Sequence, residues 1–201
     1  MKKALLIVDA QYDFMPGGSL AVDEGDKIVP IINKFLPKFD LVVFTKDWHT
    51  PDNIYFADSH KGKKPFEQIK INGEMETLWP VHCVQYTRGA DLHDDINFEL
   101  IKGDFYIFKK GYETNWHPYS GFGDKIMNTG LETFLNSRKV TDVVIMGLAT
   151  DYCVKDTAVD AAKLGFNTSI ILDGTKPINK DLSDTFSKLK ENNIKILNSD
   201  E

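Results

Sequence analysis

The chain has 201 residues, 24 basic and 30 acidic, for a formal charge of −6, and 42% of them are hydrophobic. That composition excludes a disordered chain, and a length of this order buries roughly 70% of its unfolded surface with no disulfide or metal staple. The acidic balance argues against nucleic acid as a partner, and no apolar run reaches the roughly 18 residues that a membrane span needs.

Met1-Lys2-Lys3 followed by Ala4-Leu5-Leu6-Ile7-Val8 begins like an export signal, but the apolar run stops at Asp9 and no small-residue cleavage site follows. It reads instead as a strand buried on both faces. The same texture recurs at Leu41–Phe44, Phe105–Phe108, Val143–Met146, Ser169–Leu172 and Ile194–Leu197. Helical spacing lies between these runs. Ile28, Ile31, Ile32 and Phe35 form one stripe, with Pro30 tolerated because it falls near the helix start. Ile126, Met127, Leu131, Phe134 and Leu135 form a second stripe, and Val154, Thr157, Ala158, Ala161 and Ala162 a third that stops at Gly165. Phe186, Leu189 and Ile194 mark a weaker fourth.

Strands alternating with helices predict an α/β fold. We expect one domain over residues 1–201, with a doubly wound, mostly parallel six-stranded sheet and helices on both faces. Residues 47–103 depart from the pattern, being rich in Pro, Gly, His and charge, and read as a long loop of the functional kind.

Open α/β sheets bind ligands beyond the carboxyl ends of their strands. Asp9 follows the first strand, Asp47 and His49 the second, Lys110 the third, and Cys153 comes shortly after the fourth. Cys153 falls in a first helical turn, where the helix dipole would favour a thiolate; it is either a nucleophile or a buried apolar cysteine. Asp9 and Lys110 are either an ion pair and nothing more, or a base for the thiol and the cation that keeps that base ionised. Asp47 and His49, two apart on an extended segment, face one side and could share an ion with His82 from the loop, although solvated loop histidines show the same spacing. His60, His93 and His117 are expected to be surface or hydrogen-bonding histidines. Cys83, beside His82, is a metal ligand or a structural cysteine. Phe14, Trp79 and Tyr119 pack the core or line a pocket for a flat ring. Two cysteines are too few for a secreted disulfide framework, which suggests a reducing cytoplasm.

Val8-Asp9-Ala10-Gln11-Tyr12-Asp13-Phe14 and Pro16-Gly17-Gly18-Ser19-Leu20 resemble the opening of nicotinamidases in the isochorismatase-like cysteine hydrolase superfamily. Thr45-Lys46-Asp47-Trp48-His49, Trp79-Pro80-Val81-His82-Cys83-Val84, Lys110-Gly111, Tyr119-Ser120-Gly121-Phe122 and Gly147 through Val154 match later motifs in order.

The resemblance implies a Rossmann-like hydrolase whose Asp9, Lys110 and Cys153 form a triad that cuts nicotinamide, and also pyrazinamide, through a thioester. It implies a cis Leu148–Ala149 peptide, an oxyanion hole from the Ala149 and Cys153 N–H groups, and a ring pocket of Phe14, Trp79 and Tyr119. It further implies one divalent ion (zinc, iron or manganese) on Asp47, His49 and His82, gripping the ring nitrogen. A role in NAD salvage follows, with a homo-oligomer left open. Some members carry a further histidine where this chain has Tyr55, so its metal shell either holds more water or borrows His60. The segment 173–178 is less typical and carries no function here. The rival readings are a cysteine amidohydrolase for another small amide or carbamoyl compound, a metal-hydroxide hydrolase, and a non-catalytic scaffold.

Overall fold

A computed structural model describes residues 2–200; Met1, which opens the signal-like start, lies outside them. The six apolar runs become β1 (Lys2–Val8), β2 (Leu41–Asp47), β5 (Asp104–Lys110), β6 (Val140–Leu148), β7 (Asn167–Lys176) and β8 (Lys195–Leu197). Two short strands, β3 (Gln68–Ile71) and β4 (Glu74–Thr77), lie between β2 and β5 in the chain. The six run in the order β5-β2-β1-β6-β7-β8, with every neighbouring pair parallel.

Successive side chains of a strand point to opposite faces, and the core divides accordingly. Leu5, Ile7, Val42 and Phe44 pack on one face, and Ala4, Leu6, Val8, Leu41 and Val43 on the other. The first face is covered by α1 (Ile28–Phe35), through Ile28, Val29, Ile32 and Phe35. The second carries α2 (Leu131–Ser137), α3 (Lys155–Lys163) and α4 (Ser183–Glu191). The coverage is lopsided because the segment after β2 takes the place of helices on the first face, burying Phe56, Trp79, Cys83, Ala90 and Ile96 there.

Two expectations need correction. The second helical stripe is too long: α2 starts at Leu131, after Gly130 in the left-handed conformation, and Ile126 is exposed outside it. The segment 47–103 is not loop throughout. β3 and β4 pair as an antiparallel hairpin around Asn72-Gly73, both at positive φ, which is the turn chemistry a two-residue hairpin favours.

β1 lies mid-sheet, and the chain proceeds outward from it through β2 to β5, then crosses to β6 on the opposite side. That reversal opens a crevice at the carboxyl ends of β1 and β6, flanked by those of β2 and β5.

Candidate active site

The strand ends converge on this crevice. Asp9 directly follows β1, in the left-handed region at φ 46. Thr45 of β2 fixes it twice: its hydroxyl donates to Asp9 Oδ1 at 2.6 Å and accepts from Asp9 N at 3.2 Å. Asp47 and Lys110 are register partners across β2 and β5, so the parallel pairing itself sets carboxylate against ammonium. Lys110 Nζ also lies 3.0 Å from Asp9 Oδ2, 3.6 Å from Cys153 Sγ and 3.1 Å from the Pro118 carbonyl. A single cation thus touches two carboxylates and a thiol, all of them buried.

Cys153 sits in a π-helical turn, Thr150–Val154, that leads into α3, with Val154 N donating to Ala149 O. The preceding Leu148–Ala149 peptide is cis. Two side chains of this turn tie it to the end of β7 and the chain just beyond. The Asp151 carboxylate accepts from the backbone N–H groups of Ile178 and Asn179, at 2.9 Å each, and Thr150 Oγ1 donates to Thr175 Oγ1 at 2.8 Å. The segment 173–178, unread in the sequence, therefore braces the cysteine turn.

Burial dominates the ionisation of these groups. It pushes the Cys153 thiol well above its ordinary range; Lys110 opposes this, while Asp9 and Asp47 reinforce it. The thiolate expected from the helix position is therefore not the resting form, because desolvation and two carboxylates outweigh one ammonium. Burial likewise raises Asp9, with Asp47 adding and Lys110 opposing. Burial would raise Asp47 too, but Lys110 and His49 overcome it and hold that carboxylate well below its usual range. Lys110 loses to burial and gains more from Asp47, Asp9 and Cys153, so it stays charged. The resting state is a neutral thiol beside a carboxylate whose proton affinity has been raised.

A second cluster adjoins the first. His49 Nδ1 donates to the Gly111 carbonyl at 3.0 Å and His82 Nδ1 to the Pro80 carbonyl at 2.7 Å, which turns both Nε2 lone pairs inward. His49 Nε2 lies 3.7 Å from Asp47 Oδ1, and His82 Nε2 lies 3.9 Å from Asp47 Oδ2. Gly111 permits the first anchor: at φ +69, a Cβ there would lie 2.4 Å from His49 Cε1. His117 joins them, its ring stacked on that of His49 at 4.4 Å and 4°, with one nitrogen from each of the three histidines within 4.8 Å of the others. Burial, then the neighbouring His49, pushes His82 down to about 4 and His117 well below the usual imidazole range. Both are neutral, the form that ligates metals. Buried imidazole nitrogens without hydrogen-bond partners (His49 Nε2 and both of His117) beside an ionised carboxylate suit a divalent cation.

His117, expected to be a surface or hydrogen-bonding histidine, is instead buried with neither ring nitrogen hydrogen-bonded. His60 does not reach the cluster, because its Nε2 lies 2.7 Å from the Ile54 carbonyl. Cys83 is fully buried among apolar neighbours, its N–H donating to Asp13 Oδ2 at 2.6 Å, so the structural role applies. His93 stacks on Tyr12 and is not one of the clustered histidines.

A pocket beside the two clusters is lined by Phe14, Leu20, Asp47, Trp79, His82, His117, Tyr119, Ala149, Tyr152, Cys153 and Ile178. Trp79 Nε1 donates to Tyr119 Oη at 3.1 Å, fixing two aromatic walls against each other. Leu20, Tyr152 and Ile178 escaped the sequence reading, having no reactive group to mark them. The Cys153 thiol and the Asp47, His82 and His117 donors thus meet in one largely apolar, aromatic-walled pocket, a lining suited to a flat ring with a few polar groups. No helix among the described residues is long and apolar enough to cross a membrane.

The model of the isochorismatase domain matches residues 3–197. The nicotinamidase of Acinetobacter baylyi is 43% identical over 177 residues, 87% of this chain and 81% of that protein. The yeast nicotinamidase solved with the inhibitor nicotinaldehyde superposes with a TM-score of 0.89 at 34% identity, covering 98% of this chain and 99% of that one. The pyrazinamidase of Pyrococcus horikoshii in complex with zinc gives a TM-score of 0.77 at 36% identity, covering 98% and 99%.

Proposed function

The chain belongs to the isochorismatase family, and from that premise we propose that it is a nicotinamidase, hydrolysing nicotinamide to nicotinate and ammonia. The observation that carries this reading is one pocket lined both by Cys153, which Lys110 joins to Asp9, and by Asp47 and His82 of the donor cluster. The carboxamide faces the thiol while the ring nitrogen faces the donor cluster. Pyrazinamide, which keeps the ring nitrogen, is cut as well, in line with the pyrazinamidase relative.

The thiol rests neutral, so attack requires a base within reach. A carboxylate oxygen of Asp9 lies within 4.8 Å of Cys153 Sγ. As Sγ bonds to the carboxamide carbon, its proton passes to Asp9, and Lys110 at 3.6 Å steadies the negative charge on sulfur. The N–H groups of Ala149 and Cys153 receive the oxyanion. The adduct collapses when Asp9 returns the proton to the amine and the C–N bond breaks, releasing ammonia and leaving a thioester. Water then gives a proton to Asp9 and attacks the thioester carbon; nicotinate departs, and the sulfur recovers its proton. Asp47, His49 and His82 would hold one divalent ion, zinc, iron or manganese, supplying a Lewis acid that the pyridine nitrogen can ligate. Phe14, Trp79 and Tyr119 hold the ring flat between the two ends.

In this reading residues 1–201 act as one catalytic domain that returns nicotinamide to NAD synthesis. A reducing cytoplasm suits it, because an oxidised Cys153 could not attack a carbonyl. The test is ammonia release from nicotinamide, benzamide and a carbamoyl substrate. Nicotinamide turnover that a chelator and Cys153→Ala each abolish, with benzamide poor, supports the reading. Equal rates on benzamide, or full activity in Cys153→Ala, overturn it.

A further inference from the structure

We propose that His117 is a fourth protein ligand of the divalent ion, giving this chain a centre of three imidazoles and one carboxylate. The inference rests on the metal reading above and deepens it.

Three observations carry it. The first is position. The main chain is pinned on both sides of His117, since Asn53 Nδ2 donates to the Trp116 carbonyl at 3.1 Å and Lys110 Nζ to the Pro118 carbonyl at 3.1 Å. Both neighbours are thus held by buried side chains, and the imidazole between them stacks on His49. The second is geometry: the three histidines bring one nitrogen each within 4.8 Å of the others, a spacing that a single ion closes.

The third observation is satisfaction. His49 and His82 each spend Nδ1 on a carbonyl, whereas both nitrogens of His117 are buried without a partner, in a side chain only 9% exposed. A buried polar atom left without a partner is costly, and native interiors rarely keep two on one ring. A metal bond to one of them removes that cost at the point where the other two imidazoles already converge. Tyr55, its ring 5.3 Å from that of His117, packs beside it and offers no competing imidazole.

A nitrogen-rich set has a chemical consequence. Imidazoles suit zinc and iron, while manganese is better served by carboxylates and water. His117 therefore biases the centre towards zinc or iron and away from manganese.

The test compares the full-length wild type with His117→Ala and His117→Gln. Competition with a chelator gives the zinc and manganese affinities, and X-ray absorption on the zinc-loaded proteins counts imidazoles. The expected result is three imidazoles in the wild type and two in each variant. Zinc affinity should fall roughly tenfold or more, since even the partners behind metal ligands are worth 10–100-fold, and manganese affinity should fall less. Two imidazoles in the wild type, or equal zinc affinity in all three proteins, overturn the proposal while leaving the metal reading intact. A wild type that retains neither ion overturns the metal reading and this proposal with it. The wild-type imidazole count decides the matter even if neither variant folds.

Discussion

Gln11 holds the main chain of Asp47 from both sides: its Oε1 accepts from Asp47 N at 2.7 Å, and its Nε2 donates to Asp47 O at 2.7 Å. The same Nε2 donates to the Ala90 carbonyl at 2.9 Å, so one buried amide ties β1's end to that of β2 and to the segment after it. Gln11→Ala strands these backbone groups in the interior, at roughly 1–3 kcal/mol for each one left unpaired. We expect a lower unfolding midpoint in urea together with weaker metal retention against a chelator. Unchanged values for both would show that Asp47 is positioned by the sheet alone.

Lys110 is the one cation shared by Asp9, Asp47 and Cys153, and it is 1% exposed. Lys110→Met preserves much of the volume but leaves two carboxylates buried without it. Removing one partner of a buried pair costs about 3–5 kcal/mol, and turnover should be lost as well. Lys110→Arg should not restore the rate, because a planar guanidinium cannot occupy the position of a point-like ammonium among three acceptors. Denaturant titration and single-turnover ammonia release measure the two effects.

In the proposed mechanism Asp9 must be ionised to accept the thiol proton, and burial, then Asp47, raises it above its ordinary value of 3.8. Activity should therefore fall as pH falls, along an acid limb set above that value. The Thr45 hydroxyl bond stabilises the carboxylate, so Thr45→Val should move the limb further upward. A profile of kcat/KM against pH would disprove the assignment if the Thr45→Val limb moved down.

The two thiols differ in access and not in ionisation, since burial raises both. Cys153 lines the pocket and Cys83 is fully buried in the core. A small alkylating agent should label Cys153 alone, slowly and faster as pH rises, and nicotinamide should protect it. Peptide mass mapping reads the site; labelling of Cys83 at a comparable rate would contradict the packing.

What the sequence disclosed depended on contrast. Asp9, Asp47 and Lys110 stood out because each ends or follows an apolar run, and the sheet does bring them together. Cys153 stood out through the strand-to-helix turn that precedes it. His117 did not, because Trp116-His117-Pro118 lies where no periodicity assigns an inside, and only tertiary pinning by Asn53 and Lys110 puts it there. Gln11 gave no signal either, since its amide acts on main-chain atoms distant in sequence. The hairpin at Asn72-Gly73 did carry a turn signature, masked by strands of four residues each. The proton on Cys153 was misread because helix position is visible in sequence and burial is not.

The crevice holds two carboxylates against a single ammonium, so the folded chain keeps one negative charge out of water at the sheet's edge. A divalent cation on Asp47 would reverse the sign of that balance, and an unfolded chain could not assemble the same donors. Ion uptake and unfolding then become linked equilibria: at a free concentration 100 times Kd, the bound ion adds about 2.7 kcal/mol to the folded state. Chelation should lower the melting temperature by roughly 2–4 °C for each kcal/mol lost, and added zinc should restore it. On the proposed metal reading, the thermal stability of this fold would be a function of the metal activity around it as well as of its own packing.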